Sequence, residues 1–123
     1  MNTPLVGSAQ NDTPVAGALY SVNDGEGYFR IMKVLILDDS GVHVRLYRNK
    51  FQPRPATVDV SSLTLGSVFD GEGFGMGHMP LTYHAFLAWS PMFLTAQYVA
   101  EEELEGYRYW QDADGGIFGA PSN

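Results

Sequence analysis

The chain contains no cysteine, which removes a disulfide framework, thiolate metal sites and a cysteine nucleophile, and suits a reducing compartment. Cations are also scarce: seven Lys and Arg stand against fourteen Asp and Glu, a net charge of -7. A net-acidic chain is a poor nucleic-acid ligand, because phosphate neutralisation supplies most of that affinity. No run approaches the roughly 18 apolar residues of a membrane helix, and residues 1–17 hold neither the basic nor the apolar segment of a secretory signal. A cytoplasmic protein with no membrane partner is therefore expected. Phosphate-loop, GxGxxG and Gly-x-Ser-x-Gly patterns are all missing, so nucleotide binding and serine hydrolysis lack their markers.

What is present reads as one soluble globular domain over residues 18–118, between a flexible tail at 1–17 and a short one at 119–123. The chain's 123 residues are enough to bury a core. Fourteen glycines and 13% aromatics tilt the composition towards a turn-rich, β-containing fold.

The longest regular stretch, Tyr28 to Phe51, reads as a β-hairpin with arms Tyr28–Leu37 and Val42–Phe51 about a turn at Asp38-Asp39-Ser40-Gly41. The first arm is apolar on both faces, which places it in the middle of a sheet. In the second, Val42, Val44 and Leu46 alternate with His43, Arg45, Tyr47 and Asn49, so one side is wetter. Register depends on the turn. A Ser40-Gly41 loop sets Leu35 and Leu37 beside Val44 and Leu46, whereas a bulge at Gly41 sets Val34 and Ile36 there.

Charge is segregated onto this hairpin. Between positions 30 and 54 six cations face only Asp38 and Asp39, a net of +4, which leaves Arg108 alone against twelve acids elsewhere, a net of -11. Two readings follow: the cations pair with the acidic C-terminal helix inside the fold, or they dock an acidic partner.

Ala18–Val22 reads as a short strand before the hairpin. After it, Pro53 and Pro55 break the ladder, and Val58–Val60 and Leu63–Phe69 read as short strands. Asp70–Gly77, with glycine at every second position, reads as a loop or a strand pressed on other backbone. Within Pro80–Pro91, Thr82 caps a short helix over Tyr83–Trp89, and Met92–Val99 reads as a last strand. Ala100–Gln111 is the clearest helix: Glu101, Glu102 and Glu103 suit its positive end, Leu104, Tyr107 and Trp110 share a face, and Gly115-Gly116 stop it. Gly106 inside it implies close contact with a strand.

Candidate site residues are few. Asp24-Gly25-Glu26-Gly27-Tyr28 and Asp70-Gly71-Glu72-Gly73-Phe74 repeat one acidic-glycine pattern, but its spacing is not that of an EF-hand, and turn formation is the simpler reading. His78 and His84, six apart around a proline, do not match a helical zinc pair. They supply an acid–base candidate with Asp70 and Glu72 beside the glycine loop. No metal or cofactor is called for. Tyr20, Tyr28, Tyr47, His43 and Arg45 form the partner-binding candidates, as an aromatic groove and a basic hairpin face.

The run LYSVNDGEGYFRIMKVLILDDSGVHVRLY, within residues 18–60, resembles the opening of SH3-like and Tudor-like small β-barrels. That resemblance implies a partly barrel-like sheet and an aromatic pocket that reads peptides or methylated side chains. The fold expected is α+β: a curved antiparallel sheet of about five strands with two short C-terminal helices packed on it. The function expected is a non-catalytic interaction module for a protein partner, of a regulatory or immunity-like kind. The alternatives are a small hydrolase or metal-dependent enzyme at the glycine loop, and a Tudor-like peptide reader.

Overall fold

The computed structural model describes residues 14–66 and 75–119. β1 (Ala18–Asn23), β2 (Phe29–Asp38), β3 (Gly41–Leu46), β4 (Met76–Leu81) and β5 (Met92–Ala96) form one antiparallel sheet in the order β4-β3-β2-β1-β5. The strand that reads as apolar on both faces is thus the middle one, and Ile31–Leu35 are all buried. The sheet is open, with β4 and β5 as its edges. Two short helices, α1 (Tyr83–Ala88) and α2 (Glu105–Asp112), accompany it, with one-turn 3-10 segments at Val60–Ser62 and Glu101–Leu104. Among the described residues no helix is long and apolar enough to cross a membrane.

Strand alternation sorts the apolar side chains into two cores. Tyr20, Val22, Met32, Val34, Val42 and Val44 point to one face, where Phe86 of α1 covers them; its ring meets Tyr20 edge-on at 5.4 Å. Leu19, Ile31 and Tyr47 point to the other, under Phe51, Val58, Val60, Leu63 and Leu65. That covering segment corrects the strands expected at Val58–Val60 and Leu63–Phe69. Val60–Ser62 is a 3-10 turn, its backbone drawn in by the Asp59 side chain, which accepts from Ser61 N at 3.1 Å. Leu63–Gly66 is irregular, and Ser67–Phe69 lie outside the described residues.

The hairpin combines the two expected registers, with Leu37 opposite Val42, on the face that the first gives it, and Val34 opposite Val44 as in the second. Asp38 pairs with Gly41, so Asp39-Ser40 is the loop, and a bulge at Leu35 then shifts the ladder to match Val34 with Val44 and Met32 with Leu46. The Asp38 carboxylate builds the turn, since Oδ1 accepts from Ser40 N at 2.9 Å and Gly41 N at 3.2 Å. Gly41 has no room for a side chain, because a Cβ there would collide with the Leu81 carbonyl.

β4 takes up the end of the segment read as a loop or a strand pressed on other backbone, with Gly75 against the Leu46 carbonyl, and runs on through Pro80. Met76–Leu81 pairs with β3 despite Pro80, which an edge strand tolerates because no ladder donor is needed on its free side. Phe118 covers part of that edge: its N–H donates to Pro80 O and its carbonyl accepts from Thr82 N, both at 2.9 Å. Thr82 caps α1 as expected, accepting from Ala85 N at 3.0 Å. The single helix expected over Ala100–Gln111 divides into the Glu101–Leu104 turn and α2.

Candidate functional site

The side of β2 and β3 opposite α1 carries Lys33, His43 and Arg45, three polar side chains on a face that α2 and its preceding turn cover. Lys33 lies opposite Arg45 in the β2–β3 ladder. Glu103 is inserted between them: Lys33 Nζ lies 2.9 Å from Oε1 and Arg45 Nη1 3.6 Å from Oε2. Lys33 also donates to Tyr98 O at 2.6 Å, and Glu103 accepts from Ala100 N at 2.8 Å. The Lys33 and Glu103 side chains are 6% and 12% exposed, so removing either leaves the other with little water to replace it.

Beside this ion pair runs a chain of hydrogen bonds through two imidazoles. His43, fully buried, has Nε2 3.0 Å from Asp38 Oδ1 and Nδ1 2.9 Å from His78 Nε2, with the two rings 9° from parallel. Tyr107 of α2 donates to Asp38 Oδ2 at 2.8 Å. Burial favours the protonated Asp38, but hydrogen bonds from Ser40, Tyr107 and His43 outweigh it and hold the carboxyl well below the usual carboxylate range. The same bond to Asp38, reinforced by burial and by the Asp38 charge, raises the Tyr107 phenol.

An ionised Asp38 only accepts, so His43 donates to it through Nε2, and the matching tautomer offers the Nδ1 lone pair to His78. His78 then donates through Nε2 and keeps its free lone pair on Nδ1. Burial, and secondarily the neighbouring His43, push His78 down to about 4, with Asp38 acting in the opposite sense. Ser40 Oγ sits 2.5 Å from Asp38 Oδ1 and 3.0 Å from His43 Nε2. It donates to the carboxylate and can only accept from the imidazole, the reverse of the polarity that activates a serine nucleophile. Both His43 nitrogens are occupied, which leaves it no lone pair for a metal.

α2 lies directly on these rings. Tyr107 and Trp110 meet His43 edge-on at 4.7 and 4.6 Å, and a Cβ on Gly106 would fall 2.7 Å from His78 Cβ. The close strand contact expected at Gly106 is therefore made, with β4. Trp110 Nε1 donates to Gly116 O at 2.6 Å, which pins the indole.

The positions of the residues singled out in the sequence follow. His43 is buried, and Arg45 is turned to Glu103, so the hairpin face expected to be wet is closed by the chain's own acidic helix. Tyr20 and Tyr47 are buried in the two cores on opposite faces of the sheet, so they share no groove. Tyr28 is 41% exposed, with Lys50 Nζ 5.7 Å above its ring. His78 joins His43 and Asp38, whereas His84 is exposed on α1 at the other face. Asp70 and Glu72, the carboxylates expected beside them, lie outside the described residues. The first acidic-glycine segment is a turn closed by its own side chains, with Asp24 Oδ1 accepting from Glu26 N at 2.7 Å. Asp38, Lys33, Glu103 and Tyr107 carry the seam without having been singled out; charge segregation and Gly106 are the sequence signals that point to it.

A second feature lies at the far edge of the sheet. Among the described residues, nothing pairs with the outer side of β5. Trp89–Ala100 carries no charged residue, and Met92, Phe93 and Tyr98 are 55%, 49% and 82% exposed.

Among the described residues the molecule is thus an open-sheet α+β protein with one polar seam and one bare edge. No family model, curated protein or solved structure matches the chain.

Proposed function

We propose that the protein is a non-catalytic interaction module, acting in the cytoplasm, that takes a strand of a protein partner along β5. The observation that supports this reading is the bare β5 edge. Isolated edge strands are ordinarily blunted by charge, proline or a covering segment, because their unpaired N–H and C=O groups recruit other strands. The two edges here differ in this respect: Phe118 covers part of β4, whereas β5 is uncharged and shows Met92 and Phe93 to solvent. A partner strand laid there gains ladder hydrogen bonds from the backbone and apolar contact from alternate side chains. The Asp38–His43–His78 chain has a structural part in this reading: it joins α2 to the sheet.

The test is a photo-crosslinking residue placed at Tyr98 and, as a control, at Asp39 on the hairpin turn, in the cells that make the protein. A discrete protein adduct from position 98, absent from position 39 and lost when Met92→Lys is added, supports the reading. Equal adducts from both positions, or an adduct indifferent to Met92→Lys, contradict it.

A further inference from the structure

We propose that the Lys33–His43–Arg45 face is itself a docking site for an acidic, aromatic segment of a partner protein, and that α2 with its preceding turn is a built-in occupant holding that site closed. The inference stands apart from the β5 edge and rests on how α2 is attached. Of the residues from Glu101 to Asp112, only Tyr107 is buried. Neither core cluster contains any residue of this segment. The two apolar clusters are therefore assembled without it, and the helix is held by Glu103 between Lys33 and Arg45, by Tyr107 on Asp38 and by the edge-on contacts of Tyr107 and Trp110 with His43. Elements with few buried apolar contacts are those that open locally while the rest stays folded.

The surface under α2 specifies what else would fit. Two cations on adjacent strands call for a carboxylate, Asp38 accepts a hydroxyl, and the paired imidazoles take an aromatic edge. Glu103, Tyr107 and Trp110 meet those three demands from one short segment. A partner presenting a carboxylate followed by two aromatics at similar spacing would make the same contacts in trans. Lys33 and Arg45 attract the carboxylate of such a segment to this face once it is uncovered.

The experiment uses the full chain and, as probe, a fluorescein-labelled peptide of residues 100–112. Gly106→Val wedges a side chain against His78 without altering any receiving residue. Hydrogen exchange should then speed up over 101–112 while the strands keep their protection, and the peptide should bind about tenfold or more tighter than to the parent protein, whose site is occupied. Glu103→Gln, which removes charge but no bulk, should move both readouts the same way. Equal peptide binding by parent and variants, or no binding to a variant whose α2 exchanges freely, overturns the proposal. So does loss of strand protection in both variants, since α2 is then part of the fold and no latch. A Gly106→Val dimer that the peptide does not dissociate assigns the site to a second copy and overturns it as well.

Discussion

Gly106 of α2 rests against His78 of β4 so closely that a Cβ would fall 2.7 Å from the His78 Cβ. Alanine at this position should gain about 1 kcal/mol of helix propensity, yet strand backbone behind His78 limits how far the neighbour can yield. Overpacking then outweighs propensity, and Gly106→Ala is expected to lose about 1 kcal/mol net, a Tm roughly 4 °C lower. Gly116, which has open space around its Cβ position, is the control and should tolerate alanine. A Gly106→Ala protein with a raised Tm would refute the contact.

Glu103 is the sole ion-pair partner of Lys33 among the described residues. Glu103→Gln leaves Lys33 only the Tyr98 carbonyl while α2 is docked, and should cost about 3 kcal/mol of α2 docking, read as faster hydrogen exchange over residues 101–112. Lys33→Met alone strands Glu103 less severely, because Arg45 remains 3.6 Å away. The double variant Lys33→Met with Glu103→Leu should recover to within about 1 kcal/mol of the parent. Additive single effects would mean that the two charges do not depend on each other.

Acid should weaken the fold in two stages. His78 titrates at about 4 when folded, below its ordinary 6.5, so between those values the unfolded chain binds a proton that the folded chain refuses. Stability is therefore full above about pH 6.5 and falls as the pH drops towards 4. Asp38, also depressed, adds its loss only below its ordinary value near 3.8. The groups facing the imidazoles are Asp38 from β2 and Tyr107 from α2, with Lys33, Arg45 and Glu103 beside them. Replacing His78 by Gln, which cannot titrate, should flatten the upper stage and leave the lower one. A pH profile from 7 to 3 by thermal melts checks this; an unchanged upper stage in His78→Gln would contradict the assignment.

Much of the scaffold was legible in the sequence, for identifiable physical reasons. A strand apolar on both faces has to sit mid-sheet, and β2 does. Thr82 before Tyr83 is a local capping signal, and α1 starts there. Glu101–Glu103 and the Tyr107–Trp110 face marked the last helix, and Gly106 announced its contact. The strand β4 was legible only in part: Gly75 lies against β3 backbone, as one of the two readings of Asp70–Gly77 had it, but the continuation through Pro80 to Leu81 was not read, because long-range pairing with β3 overrode proline's local preference. Alternation in β3 separated apolar from polar side chains correctly, but the polar side read as wet when Glu103, Tyr107 and Trp110 in fact lie over it. Asp38, His43, His78 and Glu103 meet through tertiary folding alone, so no spacing rule connects them. The strand β5 was legible as a strand; its place at an edge was not, since strand order is not written in local pattern.

The account rests on β5 as the docking edge, and amide hydrogen exchange on the partner complex obtained through the position-98 adduct tests it most directly. The predicted result is slowed exchange over Met92–Ala96 on binding, with the β4 edge at Met76–Leu81 unchanged. New protection confined to β4, or to the Arg48–Phe51 region, with β5 exchanging as in the free protein, would contradict it.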